Sequence, residues 1–101
     1  MPWFKTVLAT IPANAHLAHA DVEYRSDRNA LVAHLEGTLS PGVLAHSMTY
    51  REWFDKLHML CSAPPVLVSE RAIDVLGTKR SAFNIELVAP LSMGSVAVVH
   101  Q

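Results

Sequence analysis

The stretch PGVLAHSMTYREWFDKLHMLC, residues Pro41 to Cys61, has the strongest secondary-structure pattern in the chain. Small or apolar residues recur in it at alternating steps of four and three, which would place them in one stripe along an α-helix. The residues in this stripe are Val43, Ser47, Tyr50, Phe54, Leu57 and Cys61. The stretch therefore predicts a central helix against which the rest of the chain packs.

The start of this helix has two candidate positions. Ser40 as N-cap with Pro41 at N1 can open a helix, but Pro41 with Gly42 is equally typical of a type II turn. Thr49 and Glu52 have the spacing of a capping box, in which each side chain accepts a hydrogen bond from the other residue's backbone amide. We therefore expect one main helix over about residues 49–61 and leave open its extension back to Pro41.

A β-hairpin is predicted between residues 21 and 39. Residues 21–25 alternate between polar and apolar side chains, as a half-buried strand does. Residues 26–29 have the composition of a turn, because Asp and Asn side chains bond to the nearby backbone and Asn tolerates positive φ. Residues 30–39 follow as the return strand.

The second half of the chain contains further strand patterns. Residues 83–87 alternate most clearly and follow a polar tip at 77–81. Residues 66–68 have the composition of a short buried strand, which 69–76 either continue or follow as a short helix; we favour the strand. Residues 95–100 are rich in valine and predict a last strand.

Two segments near the N-terminus have weaker patterns. Residues 3–11 mix β-branched, aromatic and aliphatic side chains, which favours a strand covered on both faces. Residues 13–20 are rich in alanine and favour a short helical turn in which His16 and His19 share a face, with a plain loop as the alternative.

Together these segments predict one α+β domain over residues 1–101. We expect an antiparallel or mixed sheet of about five strands, with the 49–61 helix packed on one face. The other face would be covered by a second subunit or would curl around an apolar pocket.

The composition is apolar and nearly neutral. Half of the 101 residues are hydrophobic and 17% are charged, so part of the apolar surface is expected to meet a partner, most simply a second copy in a homodimer. A net charge of −1 argues against nucleic acid as a partner. No run approaches the roughly 20 apolar residues of a membrane helix. The single cysteine, Cys61, fits a small buried hydrophobe in a reducing cytoplasm.

His16, His19 and Asp21 are the most suggestive group of chemically active residues. Imidazoles three residues apart with a nearby carboxylate could bind a transition metal or carry out acid–base chemistry. A histidine pair on a solvated turn is the commoner explanation, so we expect no metal and no cofactor.

A second group lies along the predicted helix. His46, Tyr50 and Trp53 would cluster on one flank if the helix extends back past residue 46, and Leu60 extends the apolar surface there. Such side chains line ligand pockets, but packing in a core or an interface explains them equally well.

From the sequence we expect a small soluble module without enzymatic activity, which binds or regulates. It would be a homodimer that recognises a small apolar or aromatic ligand, or a protein partner. The alternative is a small enzyme that uses histidine acid–base or metal chemistry at His16, His19 and Asp21.

Overall fold

The computed structural model describes residues 2–41 and 47–90. The elements in chain order are helix α1 (Pro2–Leu8), strands β1 (Ala15–Arg25) and β2 (Ala30–Leu39), helix α2 (Tyr50–His58), and strands β3 (Val66–Val75) and β4 (Thr78–Val88). The strands form one antiparallel sheet in the order β1-β2-β4-β3. The predicted α+β class is confirmed, although the described part has four strands and a second helix. The strand predicted at 95–100 lies outside the described residues.

Both helices pack on the same face of the sheet, where the hydrophobic core lies. The central strands contribute side chains such as Leu35 and Ile85, both 0% exposed. From the helices come four buried residues that belong to the same cluster: Trp3, Val7, Trp53 and Leu57. The prediction that the main helix packs on one face is therefore confirmed.

The prediction of a strand over residues 3–11 is wrong, because Pro2–Leu8 form helix α1. Trp3 and Val7 are four residues apart and almost fully buried, which is the spacing of neighbours on one helical face. Such a short helix is marginal alone and depends on tertiary packing. Composition favoured a strand here, and the packing of Trp3 and Val7 overrode it.

Two tryptophan N–H groups link the helices. Trp3 Nε1 donates to the carbonyl of Leu60, just after α2, at 2.7 Å. Trp53 Nε1 donates to Thr10 Oγ1, just after α1, at 3.0 Å. Each buried indole therefore finds an acceptor at the end of the opposite helix, as buried tryptophans generally require.

Helix α2 begins at the later of its two predicted starts. Thr49 is its extended N-cap, and both hydrogen bonds of the capping box with Glu52 are present. The helix ends at His58, with Met59 as C-cap, so it is shorter than the predicted 49–61. A local side-chain signal thus located the start better than the long apolar stripe did.

The helical turn predicted over residues 13–20 is also wrong, because Ala15 to Ala20 belong to strand β1. Alanine favours a helix only weakly, and tertiary pairing overrides such preferences. Here the pairing runs from Ala15 opposite Leu39 to Arg25 opposite Ala30, so the predicted hairpin is confirmed and longer than expected. Its turn contains Asn29 with φ of +50°, as its chemistry predicts.

Each edge strand contains a β-bulge. In β1 the register shifts between Leu17 and His19, and in β3 between Leu67 and Ser69. The β3 strand is otherwise continuous, which confirms the strand preferred for 69–76. It joins β4 through Leu76 and Gly77, which both have positive φ, as the two central residues of a type I′ hairpin turn do.

Asn14 fixes the chain on both sides of the segment that leads into α2. Its amide nitrogen donates to the carbonyls of Ser40 and Met48, at 2.7 and 2.9 Å. Its amide oxygen accepts from the backbone N–H of Met48 at 2.9 Å. This residue is 5% exposed, so its polar atoms are buried and satisfied together.

We expect Gly37→Ala to destabilise the fold, because an added Cβ would lie 2.1 Å from the carbonyl oxygen of His16. Such overpacking typically costs about 1–3 kcal/mol, and the backbone contact here places the loss near the upper end. Denaturant unfolding measures it. Gly77→Ala is the control, where nothing lies within 4 Å and only the positive φ matters. A loss at Gly37 no larger than at Gly77 would contradict the prediction.

Candidate functional site

The sheet face opposite the two helices carries polar side chains in register across the strands; we call it the polar face. One row runs His19, Glu36, Asn84 and Ser69, each opposite the next on neighbouring strands. The adjacent row contains Asp21, His34 and Glu86. Residues directly opposite each other in a sheet share a face, so these side chains can interact.

Histidine and carboxylate side chains alternate along a network on the polar face. His19 Nε2 lies 2.7 Å from Asp21 Oδ2, and Asp21 Oδ1 lies 3.5 Å from His34 Nδ1. His34 Nε2 is 3.6 Å from Glu86 Oε2, and Arg28 Nη1 donates to Glu86 Oε1 at 2.5 Å. This network joins β1, β2, β4 and the turn between β1 and β2.

The two carboxylates of this network are held in their charged form. The hydrogen bond with His19 lowers the pKa of Asp21, and the hydrogen bond with Arg28 lowers the pKa of Glu86. At neutral pH both groups therefore accept hydrogen bonds and cannot serve as proton donors.

The histidine pair singled out in the sequence does share a face, but on a strand. Residues three apart normally point to opposite faces of a strand; the bulge adds a residue and brings His16 and His19 to the same side. His19 binds Asp21, whereas His16 has no hydrogen bond or ion pair with either residue in the described structure. Among residues 2–41 and 47–90, no three His, Cys, Asp or Glu side chains form a metal site.

A groove of about 680 Å³ lies on the polar face beside this network, with residues of all four strands along it. Three of the lining residues are small: Ala18, Gly37 and Ala82. Ala18 is the extra residue of the β1 bulge, and Ser69 of the lining follows the β3 bulge. The bulges and the small residues together leave room between the polar side chains.

The polar groups of the groove are partly unpaired. Asn84 Nδ2 donates to Glu36 Oε1 at 3.2 Å, but Asn84 Oδ1 is buried without a partner in the described structure. Arg71 is exposed at the groove, and its guanidinium forms no ion pair or hydrogen bond with any described residue. Thr38 accepts from Arg80 Nε at 2.7 Å. A buried polar atom without a partner is unusual and marks a place where a ligand or water can bind.

Three of the four predicted ligand-binding residues are described, and all three lie apart from this groove: Tyr50, Trp53 and Leu60. Tyr50 is half-buried, bonds to Ser81 Oγ at 2.8 Å and lines a smaller pocket of about 350 Å³. Trp53 is 0% exposed in the core, where it packs edge-on against Phe83, so it has the packing role that the sequence left open. Leu60 is half-buried against the core, and His46 lies outside the described residues.

Cys61 is half-buried near the end of α2. Burial raises the pKa of its thiol to about 11, so the thiolate is scarce at neutral pH. Since the thiolate is the nucleophilic form, this cysteine acts as a small hydrophobic residue, as the sequence predicted.

Glu36, Asn84 and Arg71 were missed as site residues. The alternation of β4 did indicate that Asn84 faces away from the core. The three residues come together because β2 pairs with β4 and β4 pairs with β3. These pairings join distant parts of the chain, so local sequence patterns do not predict them.

Comparisons with known proteins give no match: no family model, no curated protein and no solved structure is significantly similar to this chain. None of the helices within residues 2–41 and 47–90 has the length and apolar character needed to cross a membrane. Function must therefore be argued from the site itself.

We expect Glu86→Gln to flatten the dependence of stability on pH in acid. Because Arg28 lowers the pKa of Glu86 below its ordinary value of 4.5, the unfolded chain binds this proton more readily than the folded chain. The stabilisation is therefore complete above pH 4.5 and is lost as pH falls through the lower folded pKa. Denaturant unfolding from pH 7 to acid should show the variant up to about 1 kcal/mol less stable at pH 7, with the gap closing in acid.

The control for this measurement is Glu23→Gln. Glu23 is an exposed carboxyl of β1 that makes no hydrogen bond or ion pair with a described side chain. The Glu23→Gln variant should have a slope of stability against pH close to that of the unmodified protein. Equal slopes for the unmodified protein and Glu86→Gln would refute the role given to the pair.

Proposed function

We propose that the protein is a non-enzymatic binding module that uses the groove on its polar face. The observation that supports this is the groove itself, about 680 Å³ in size and lined by residues of all four strands. This volume lies in the usual range of ligand sites, roughly 300–1,000 Å³. The two helices cover the opposite face, and in the described part of the chain no helix lies on the polar face.

The character of the groove revises the expected ligand. The sequence favoured a small apolar or aromatic ligand beside α2, but the groove carries charged and amide groups such as Glu36, Arg71 and Asn84. A ligand that buries these groups must supply hydrogen bonds to them, because unpaired polar groups are costly to desolvate. We therefore expect a polar ligand, or a polar segment of a protein partner.

We further propose that the module is a homodimer that pairs along β3. Within residues 2–41 and 47–90 this strand lies at an edge of the sheet, and no described strand pairs with its outer side. Val66, Val68 and Val75 are 52%, 55% and 42% exposed, and Leu76 at its turn is fully exposed. Two copies of one exposed edge can pair about a two-fold axis, which is the commonest oligomer symmetry.

A ligand screen by NMR tests the groove. We expect a library of amino acids, short peptides, sugars, nucleosides and dicarboxylates to contain compounds that shift amide signals at residues 36–38 and 82–84. Ala82→Leu should weaken their binding at least about tenfold, which is about 1.4 kcal/mol, because the larger side chain fills the groove.

The matched control is Ala72→Leu, the same substitution at an exposed position of β3 that does not line the groove. It should leave the affinities unchanged. Compounds that shift signals only outside the groove, or that bind Ala82→Leu as tightly as the unmodified protein, would contradict the proposed function.

Sedimentation over a range of concentrations tests the dimer. We expect a dimer for the unmodified chain and a monomer for Val68→Lys, because a charge on an edge strand opposes pairing. The control is Tyr24→Lys on the opposite edge, where Tyr24 is 50% exposed. A monomer at all concentrations, or a dimer lost only in Tyr24→Lys, would disprove pairing along β3.

A second candidate function is a small enzyme with histidine chemistry at His16, His19 and Asp21. The contact between His19 and Asp21 favours it, because a carboxylate often orients the imidazole that transfers a proton. Their side chains are 58% and 50% exposed, however, whereas catalytic groups usually work away from bulk water. Zinc added to the same NMR screen distinguishes the two candidates. Stoichiometric binding that is lost in a His16→Ala, His19→Ala double variant would favour the enzyme.

A further inference from the structure

The groove on the polar face has a carboxylate acceptor on β2 and a cationic donor on β3. The acceptor is Glu36, which is exposed and accepts from Asn84 Nδ2 at 3.2 Å. The donor is Arg71, whose guanidinium has no partner among the described residues, whereas the neighbouring Glu70 of the lining accepts a hydrogen bond from Ser81 Oγ at 2.9 Å. A ligand that complements this groove therefore needs a positively charged donor at one end and an anionic acceptor at the other.

The spacing of these groups sets the length of the ligand. Glu36 lies opposite Asn84, and Arg71 lies opposite Ala82 two residues away, so β4 separates the two charged residues. Two strand spacings amount to about 10 Å and the two-residue offset to about 7 Å, so the Cα positions of Glu36 and Arg71 are about 12 Å apart, and their side chains reach inward from there. The charged residues do not pair directly, and a bound molecule of similar length would join them. Three extended residues span at most roughly 10–11 Å.

The middle of the groove can accept a peptide backbone. Ala82 lies between Thr38 and Arg71 in its row and carries only a methyl group. An ammonium group donates hydrogen bonds to a carboxylate, and a guanidinium binds a carboxylate through two parallel hydrogen bonds.

We infer that the groove binds a short peptide of two or three residues with both termini free. The terminal ammonium binds the carboxylate of Glu36, and the terminal carboxylate binds the guanidinium of Arg71. This inference rests on the proposed function and specifies its ligand.

Four forms of trialanine test the inference by NMR titration at millimolar concentration: the free peptide, the N-acetylated form, the C-amidated form and the form blocked at both ends. Free trialanine should shift the signals of Glu36, Asn84 and Arg71. Each singly blocked form should bind about threefold to fivefold more weakly, as expected for a partly exposed charge pair.

Variants connect each terminus to its residue. Arg71→Gln should no longer distinguish free trialanine from its amide, and Glu36→Gln should no longer distinguish it from the N-acetylated form. Arg51→Gln, which removes an exposed arginine on α2, should keep both preferences. Circular dichroism shows whether each variant retains the fold.

The possible outcomes separate this inference from the proposed function. If the doubly blocked peptide binds as well as the free one, or if Arg71→Gln keeps its preference for the free acid, the inference is overturned and the groove remains a binding site. The same holds if free trialanine does not bind while another class of compound does. If no compound shifts the groove signals, both proposals fail.

Discussion

The hydrogen bonds from two indole N–H groups to acceptors just beyond the helix ends are the interaction on which the packing of the helices depends. Trp3 and Trp53 are almost completely buried, so an unpaired N–H on either ring would cost about 1–3 kcal/mol. Each ring avoids this cost by donating to the opposite helix, to Leu60 or to Thr10. The short α1 is thereby held against α2, and the two helices close the same face of the sheet. The central polar rows of the sheet, such as Glu36 with Asn84 and His34 with Glu86, lie on the other face.

The polar face is shaped by the bulges of the two edge strands. In β1 the backbone approaches Gly37 so closely that no Cβ would fit beside the His16 carbonyl. The extra residue Ala18 changes the register there, which brings His16 and His19 to one side and leaves small residues along the groove. The geometry of the groove thus depends on a backbone contact at Gly37, immediately beside the charged Glu36 of its lining.

Features set by neighbouring residues were predictable from the sequence, and features set by distant ones were not. The capping box of Thr49 and Glu52 and the alternation over 83–87 are local signals, and both predictions are confirmed. Helix α1 depends on a core that the rest of the chain builds, and the first half of β1, from Ala15 to Ala20, depends on pairing with β2, so both were predicted wrongly. The groove combines residues of all four strands. Its lining residues were therefore missed, although the alternation of β4 indicated that Asn84 faces away from the core.

Strand β3 connects the two proposals, because it contributes to the groove but little to the core. Most of its residues are exposed, and it is held by pairing with β4. A segment with few buried contacts opens locally at lower free-energy cost than the core does. Ser69 and Arg71 of the groove belong to this strand, so a contact that orders β3 would also order one wall of the groove. A second copy paired along β3, as proposed, would supply such a contact, and ligand affinity and dimer affinity would then strengthen each other by the same factor.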